Sequence, residues 1–213
     1  MGGRGSSSSG GGGFGGGGSG LSSADIVSTT SLVSERGNYP EAVNDILSVS
    51  QDVLDQYGLV VDDFHMATMK GKGQTAIAYY DGANIGWNKN FMDTNTLNKS
   101  YADCVKAGFH PSNGNKTPAQ AVASHELGHF LSDQAGKKMG GKNIDQASSQ
   151  ILKEARKQTG HKTMYDMASK ISGYAKHSPA ETIAEAFADV YCNGNKAHKE
   201  SQAIVNVLNS YLK

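Results

Sequence analysis

Ala123-Ser124-His125-Glu126-Leu127-Gly128-His129-Phe130 sets two histidines four residues apart, with a glutamate directly after the first. On a helix, positions i and i+4 lie one above the other on the same face, so both imidazoles can reach one ion. The surrounding sequence calls for a helix. Thr117-Pro118-Ala119-Gln120 forms a capping box with proline at the first helical position, which starts the helix eight residues before His125. Val122, Leu127, Phe130 and Leu131 give the apolar flanks that a buried helix needs. Gly128 costs about 1 kcal/mol relative to alanine in a helix interior, which predicts a close approach at that turn. A buried His-Glu-His group is expensive without a ligand to satisfy it. The pattern therefore predicts one zinc ion per chain, bound by His125 and His129, with Glu126 placed to take a proton from a water held by the metal as that water attacks a carbonyl. Against this stands the brevity of the motif, since three fixed positions in five also arise by chance.

A catalytic zinc usually takes three protein groups and leaves the fourth position open. Residues 132 to 135 read Ser-Asp-Gln-Ala, so a third histidine six residues after His129 is not supplied by this segment. The alternative is a carboxylate from a later helix. Ser178-Pro179-Ala180-Glu181-Thr182-Ile183-Ala184-Glu185-Ala186-Phe187-Ala188-Asp189 offers two glutamates four residues apart, facing the same way. Glu181 also stands where the N3 residue of a capping box on Ser178 would stand. If it is only a cap, Glu185 becomes the ligand.

H-E-L-G-H followed about fifty residues later by E-x-x-A-E-A-F-A resembles the gluzincin metallopeptidases, and within them the catalytic domain of the anthrax lethal factor type. The resemblance covers roughly residues 60 to 195 and is sharp only over the two helices; the loop from Ser132 to Lys142 is unmatched. It implies an α+β, zincin-like domain and a zinc-dependent metalloendopeptidase. It implies Glu181 as third ligand and Glu185 as the partner that orients a ligand histidine. It also implies an oxyanion-stabilising tyrosine seven residues before the ligand glutamate, which here is Tyr174. Tyr165 and His177 compete for that role, and a tyrosine after a glycine can equally be a packing residue. His65, His110, His161 and His198 carry no ligand spacing and read as surface or core residues.

Outward from these helices, the chain divides into a small N-terminal sheet with helices and a mainly helical half. A helix is expected from Pro40 to Tyr57, with proline in its first turn and Gly58 as a left-handed cap. Extended segments near Phe64 to Met69, Thr75 to Tyr80 and Asn84 to Trp87 are separated by turn signals at Lys70 to Gln74 and Asp81-Gly82, which predicts hairpin-linked strands. Thr75 to Tyr80 or Asn84 to Trp87 would be the edge against which an extended peptide pairs, or else ordinary sheet members. Trp87, the only tryptophan, reads first as core. Further helices are expected over Asn95 to Ala107, Ile144 to Lys157, Thr163 to Ser172, Pro179 to Cys192 and His198 to Leu212, with Phe109 to Lys116 a loop.

Residues 1 to 21, beginning MGGRGSSSSGGGGFGGGGSG, have almost nothing to bury and read as a disordered tail, either a linker or a tether to a larger assembly. This start resembles those of small proteins encoded by bacteriophage and mobile elements. Residues 22 to 213 are expected to form one domain. The 20 basic and 20 acidic residues cancel, so no overall field draws nucleic acid, and no apolar run is long enough for membrane insertion. Cys104 and Cys192 match neither a metal knuckle nor a redox pair and read as reduced and packed. Arg4 is followed by glycine and serine where a secretory signal needs an apolar stretch, which predicts a cytoplasmic protein of a bacterium or phage-infected host, with a specialised delivery route open. Three functions remain: a peptidase acting on protein or peptide, a catalytically idle zinc-binding structural or interaction protein of a phage or mobile element, and a toxin effector protease. Glu126 speaks against the second, because a structural zinc needs no base.

Overall fold

In the computed structural model, residues 25–213 are described; the glycine-rich tail expected over residues 1 to 21 lies outside them. The chain is α+β. Strands β1 (Ile26–Ser31), β2 (Phe64–Met69), β3 (Ala78–Tyr80) and β4 (Ile85–Asn88) form a sheet in the order β1-β2-β4-β3. Helices α1 (Pro40–Tyr57), α2 (Thr94–Lys106), α3 (Pro118–Lys138), α4 (Ile144–Thr159), α5 (Met164–Ala168), α6 (Pro179–Asn193) and α7 (Lys199–Leu212) make up the rest. None is long and apolar enough to cross a membrane.

The sheet departs from the expected chain of hairpins. Only β3 and β4 form one, pairing antiparallel around the Asp81 turn, where Asp81 Oδ1 accepts the amides of Ala83 and Asn84 at 3.0 and 2.7 Å. β2 pairs in parallel with β4 instead of with its neighbour in sequence. Between β2 and β3, Gly71–Thr75 winds into a short 3-10 turn, so β3 begins three residues later than expected. The Asn88 amide group donates to the carbonyls of Gly73, Gln74 and Ala76, and pins this turn over the sheet end. β1, antiparallel to β2, is a strand the sequence reading lacked. Its residues after Ile26 are exposed, which leaves no buried alternation to reveal it.

Met66, Ala78, Tyr80, Ile85 and Trp87 join the large core beneath the helices, and Trp87 is buried there. The opposite face keeps a small cluster of Ala67, Met69, Ala76 and Tyr79. α3 runs through the centre of the protein, its residues from Ala121 to Ser132 all buried, as expected of a helix surrounded by others. Its start has the expected capping box: Thr117 Oγ1 accepts the Gln120 amide at 3.2 Å, and Gln120 Oε1 accepts the Thr117 amide at 3.1 Å. α5 is shorter than expected, because the segment after Ala168 leaves the helix to run as a turn toward the start of α6.

Candidate metal centre

α3 and α6 cross at Gly128. A Cβ added there would stand 2.8 Å from Ala184 Cα and 3.1 Å from Phe187 Cβ. Ala184 belongs to the same turns of α6 as Glu181 and Glu185, so the missing side chain at Gly128 lets the glutamates reach the histidines. His125, Glu126 and His129 are fully withdrawn from solvent, with 0% exposure each.

Glu181 Oε2 lies between the two imidazoles, 3.2 Å from His125 Nε2 and 3.3 Å from His129 Nε2. These are attractive contacts without the alignment of a hydrogen bond, and Glu181 Oε2 has no hydrogen-bond donor. His125, His129 and Glu181 offer ligand atoms that all lie within 4.8 Å of one another, the one such group among the described residues. This buried trio could bind a metal ion. Only half of the capping box on Ser178 forms: Ser178 Oγ accepts the Glu181 amide at 3.1 Å, while the Glu181 carboxylate turns to the imidazoles. Its other oxygen, Oε1, accepts from the Tyr174 hydroxyl at 3.3 Å.

Glu185 stands one layer farther out. Its Oε1 is 2.9 Å from His125 Nδ1 and 3.0 Å from His110 Nδ1, and its Oε2 accepts from Ser172 Oγ at 2.6 Å. An ionised carboxylate only accepts, so it favours a hydrogen on the Nδ1 atom of each imidazole that faces it. With a cation held among the trio, that choice would leave the lone pair of His125 Nε2 directed inward, toward Glu181 and His129. His110, expected to be surface or core without a link to the site, is buried against Glu185; its loop position between Phe109 and Pro111 carries no periodicity that could announce this. Ser172 was not anticipated either, and the only hint was its place after a short helix.

The electrostatics follow from this packing. Burial works against charge on His125, yet Glu181 and Glu185 outweigh it and raise its pKa to about 10. Burial likewise opposes charge on the two glutamates. His129 and His125 nevertheless hold the Glu181 carboxyl well below the usual carboxylate range, and His110 and His125 bring Glu185 down to about 2. Glu126 goes the other way: burial pushes it up to about 8, with His125 opposing and Glu181 and Glu185 adding to the rise. Neither of its carboxylate oxygens has a hydrogen-bond partner, and neither does Nδ1 of His129.

The remaining candidates sort by distance from this cluster. Tyr174 is buried, its ring centroid 5.8 Å from that of His125, while Tyr165 is exposed. His177 is exposed and packs its ring on Tyr174 at 5.0 Å. Of the two strands considered for peptide pairing, β4 is internal and β3 is the edge. β3 is tied to α3 by Tyr80, whose hydroxyl donates to Asp133 at 3.1 Å and whose ring meets Phe130 edge-on at 6.1 Å. His65 lies on the far face of the sheet, bonded to Asp63 and Tyr79; His161 and His198 pair with Glu200 and Asp189. Cys104 is buried and Cys192 half-buried, and neither is in a disulfide. In comparison with known proteins, the chain has no significant match to a family model, a curated protein or a solved structure, so the reading of the site rests on its own chemistry.

Proposed function

We propose that the chain is a zinc-dependent metalloendopeptidase of the gluzincin type, with His125, His129 and Glu181 as metal ligands and Glu126 as general base. The observation that carries this is the position of Glu181 Oε2, 3.2 and 3.3 Å from two imidazole nitrogens without bonding to either. Zinc bonds to nitrogen and oxygen are about 2.0–2.2 Å, so the edge of a tetrahedron built on them is about 3.3–3.5 Å. Two nitrogens and one carboxylate oxygen also match the His2Glu donor set of catalytic zinc. When bound, zinc would polarise a substrate carbonyl and lower the pKa of water, and three protein ligands leave a position for that chemistry.

The chain's own residues do the rest. Glu126 follows His125 on the same helix, has no partner that competes for its oxygens, and is held in a dry environment that raises its basicity. Its role is to accept a proton from the attacking water and return it to the leaving amine. Glu185 holds His125 with Nε2 inward. Tyr174 directs its hydroxyl into the same space from the side of Glu181, the place from which an oxyanion donor would act once released from Glu181. The substrate of such an enzyme is a protein or peptide; β3 is the last strand of the sheet, but its residues are buried, so strand addition there would need the edge to be uncovered. A zincin-like fold accords with a central motif helix, a second ligand helix and an edge strand beside them.

Full burial of His125, Glu126 and His129 favours a second reading, a catalytically idle zinc protein whose ion only ties α3 to α6. One substitution separates the two. Under the first reading Glu126→Gln keeps one zinc per chain by metal analysis and lowers hydrolysis of a quenched peptide library by about 10²–10⁴-fold. No hydrolysis by the zinc-loaded wild type across such a library would leave the idle reading standing. A toxin effector role would need the same chemistry.

A further inference from the structure

His110 and Ser172 reach Glu185 from two segments that are distant in sequence but bonded to each other. The Gly173 amide donates to the Gly108 carbonyl at 2.8 Å, and the Tyr174 amide to the Phe109 carbonyl at 2.9 Å. Gly173 eases this approach, since a Cβ there would lie 3.1 Å from Gly108 O and 3.3 Å from Phe109 Cα, tighter than an ordinary contact. The turn is fastened to α6 as well, because Thr182 Oγ1 donates to the Ala175 carbonyl at 2.6 Å. One clip of backbone thus carries His110, Ser172 and Tyr174 together.

Each side chain on the clip is constrained from behind. Ser172 Oγ accepts the Ala175 amide at 3.0 Å, so its own hydrogen is directed at Glu185 Oε2. The His110 ring stacks on Tyr101, centroids 5.8 Å apart and planes within 10°, and Tyr101 in turn donates to the Pro111 carbonyl at 3.3 Å. Glu185 therefore meets a polar group of the clip at each oxygen, which fixes its carboxylate plane beside His125 Nδ1, 2.9 Å away.

We infer that His110 and Ser172 are positioning residues: through Glu185 they lock the ring orientation and tautomer of His125 and so tune its grip on the metal. This rests on the reading of His125, His129 and Glu181 as a zinc site. A buried polar cluster that merely contributed stability would have no reason to affect metal affinity beyond its effect on folding. Outer partners of a ligand histidine are worth about 10–100-fold in metal affinity, and that is the range expected here.

The test is zinc affinity, measured by competition with a chromophoric chelator on the metal-stripped full chain at a temperature where each variant is folded by circular dichroism. Ser172→Ala and His110→Phe, the latter keeping a ring on Tyr101, are expected to weaken zinc by about 10–100-fold. His110→Asn, which returns a donor to the place of Nδ1, and Ser172→Thr are expected to recover most of the loss. Unchanged affinity in both Ser172→Ala and His110→Phe overturns the inference while leaving the zinc site intact. A wild type that binds no zinc overturns the site itself, and the inference with it. Nitrogen NMR of the zinc-loaded wild type gives a test independent of any variant: His110 and His125 should both carry hydrogen on Nδ1, and Nε2–H at His125 refutes the arrangement.

Discussion

The two ends of α6 use the same chemistry to different ends. Glu181, Glu185 and Asp189 are spaced four residues apart on one face, all buried, and each meets at least one histidine. At the far end Asp189 is complete. Its Oδ2 accepts the His198 amide at 2.9 Å and lies 2.8 Å from His198 Nδ1, while its Oδ1 accepts from Asn193 at 2.9 Å. That carboxylate fixes the start of α7, with a donor at each of its oxygens. At the near end Glu181 faces two imidazoles with one oxygen that hydrogen-bonds to neither, and Glu126 on the facing helix has no hydrogen-bond partner. Both oxygens of Asp189 have donors within the chain, whereas Glu181 Oε2 has none and sits in a trio that could hold a cation.

Three experiments, in descending order of expected effect, break or sharpen this contrast. His129→Ala removes one of three protein donors and is expected to weaken zinc by at least about 100-fold in the chelator assay, beyond the range of any outer partner. Gly128→Ala acts on the crossing itself. The added methyl meets backbone at Ala184, which no rotamer change relieves, so a loss of about 1–3 kcal/mol is expected in denaturant unfolding despite alanine's better helix propensity. Zinc binding should weaken alongside, because the glutamates move away with α6; an increase in stability would show that the helices have room to spare. His198→Ala, at the complete end, should cost about 1 kcal/mol or less, since His198 is half-exposed, and should leave zinc affinity within error. A loss of metal in that variant would mean that the two ends of α6 are not independent.

The contrast also shows what the sequence could and could not convey. α3 and α6 were legible because their signals are local: a capping threonine, a proline in the first turn, and polar residues recurring at helical spacing. Gly128 announced its close approach by being costly where it stood, although not what it approached. The sheet was half legible. The Asp81 turn marks the β3–β4 hairpin, but the parallel pairing of β2 with β4 is made across a connection that itself contains a strand, and exposed β1 has no hydrophobic alternation to find. His110 was out of reach for a related reason. Its partner Glu185 lies 75 residues away, and no spacing rule joins a loop histidine to a helix glutamate over that distance.

The crossing at Gly128 has a thermodynamic consequence. His125 and His129 come from one helix and Glu181 from another, with the whole of α4 and α5 strung between them, so the trio does not exist in the unfolded chain. An ion held there is bound by the native state alone, and mass action then makes it a folding ligand: at 1,000 times its dissociation constant it adds about 4 kcal/mol to stability. For a domain whose net stability is about 5–15 kcal/mol, supply of the ion would decide how long the chain survives as well as what it does.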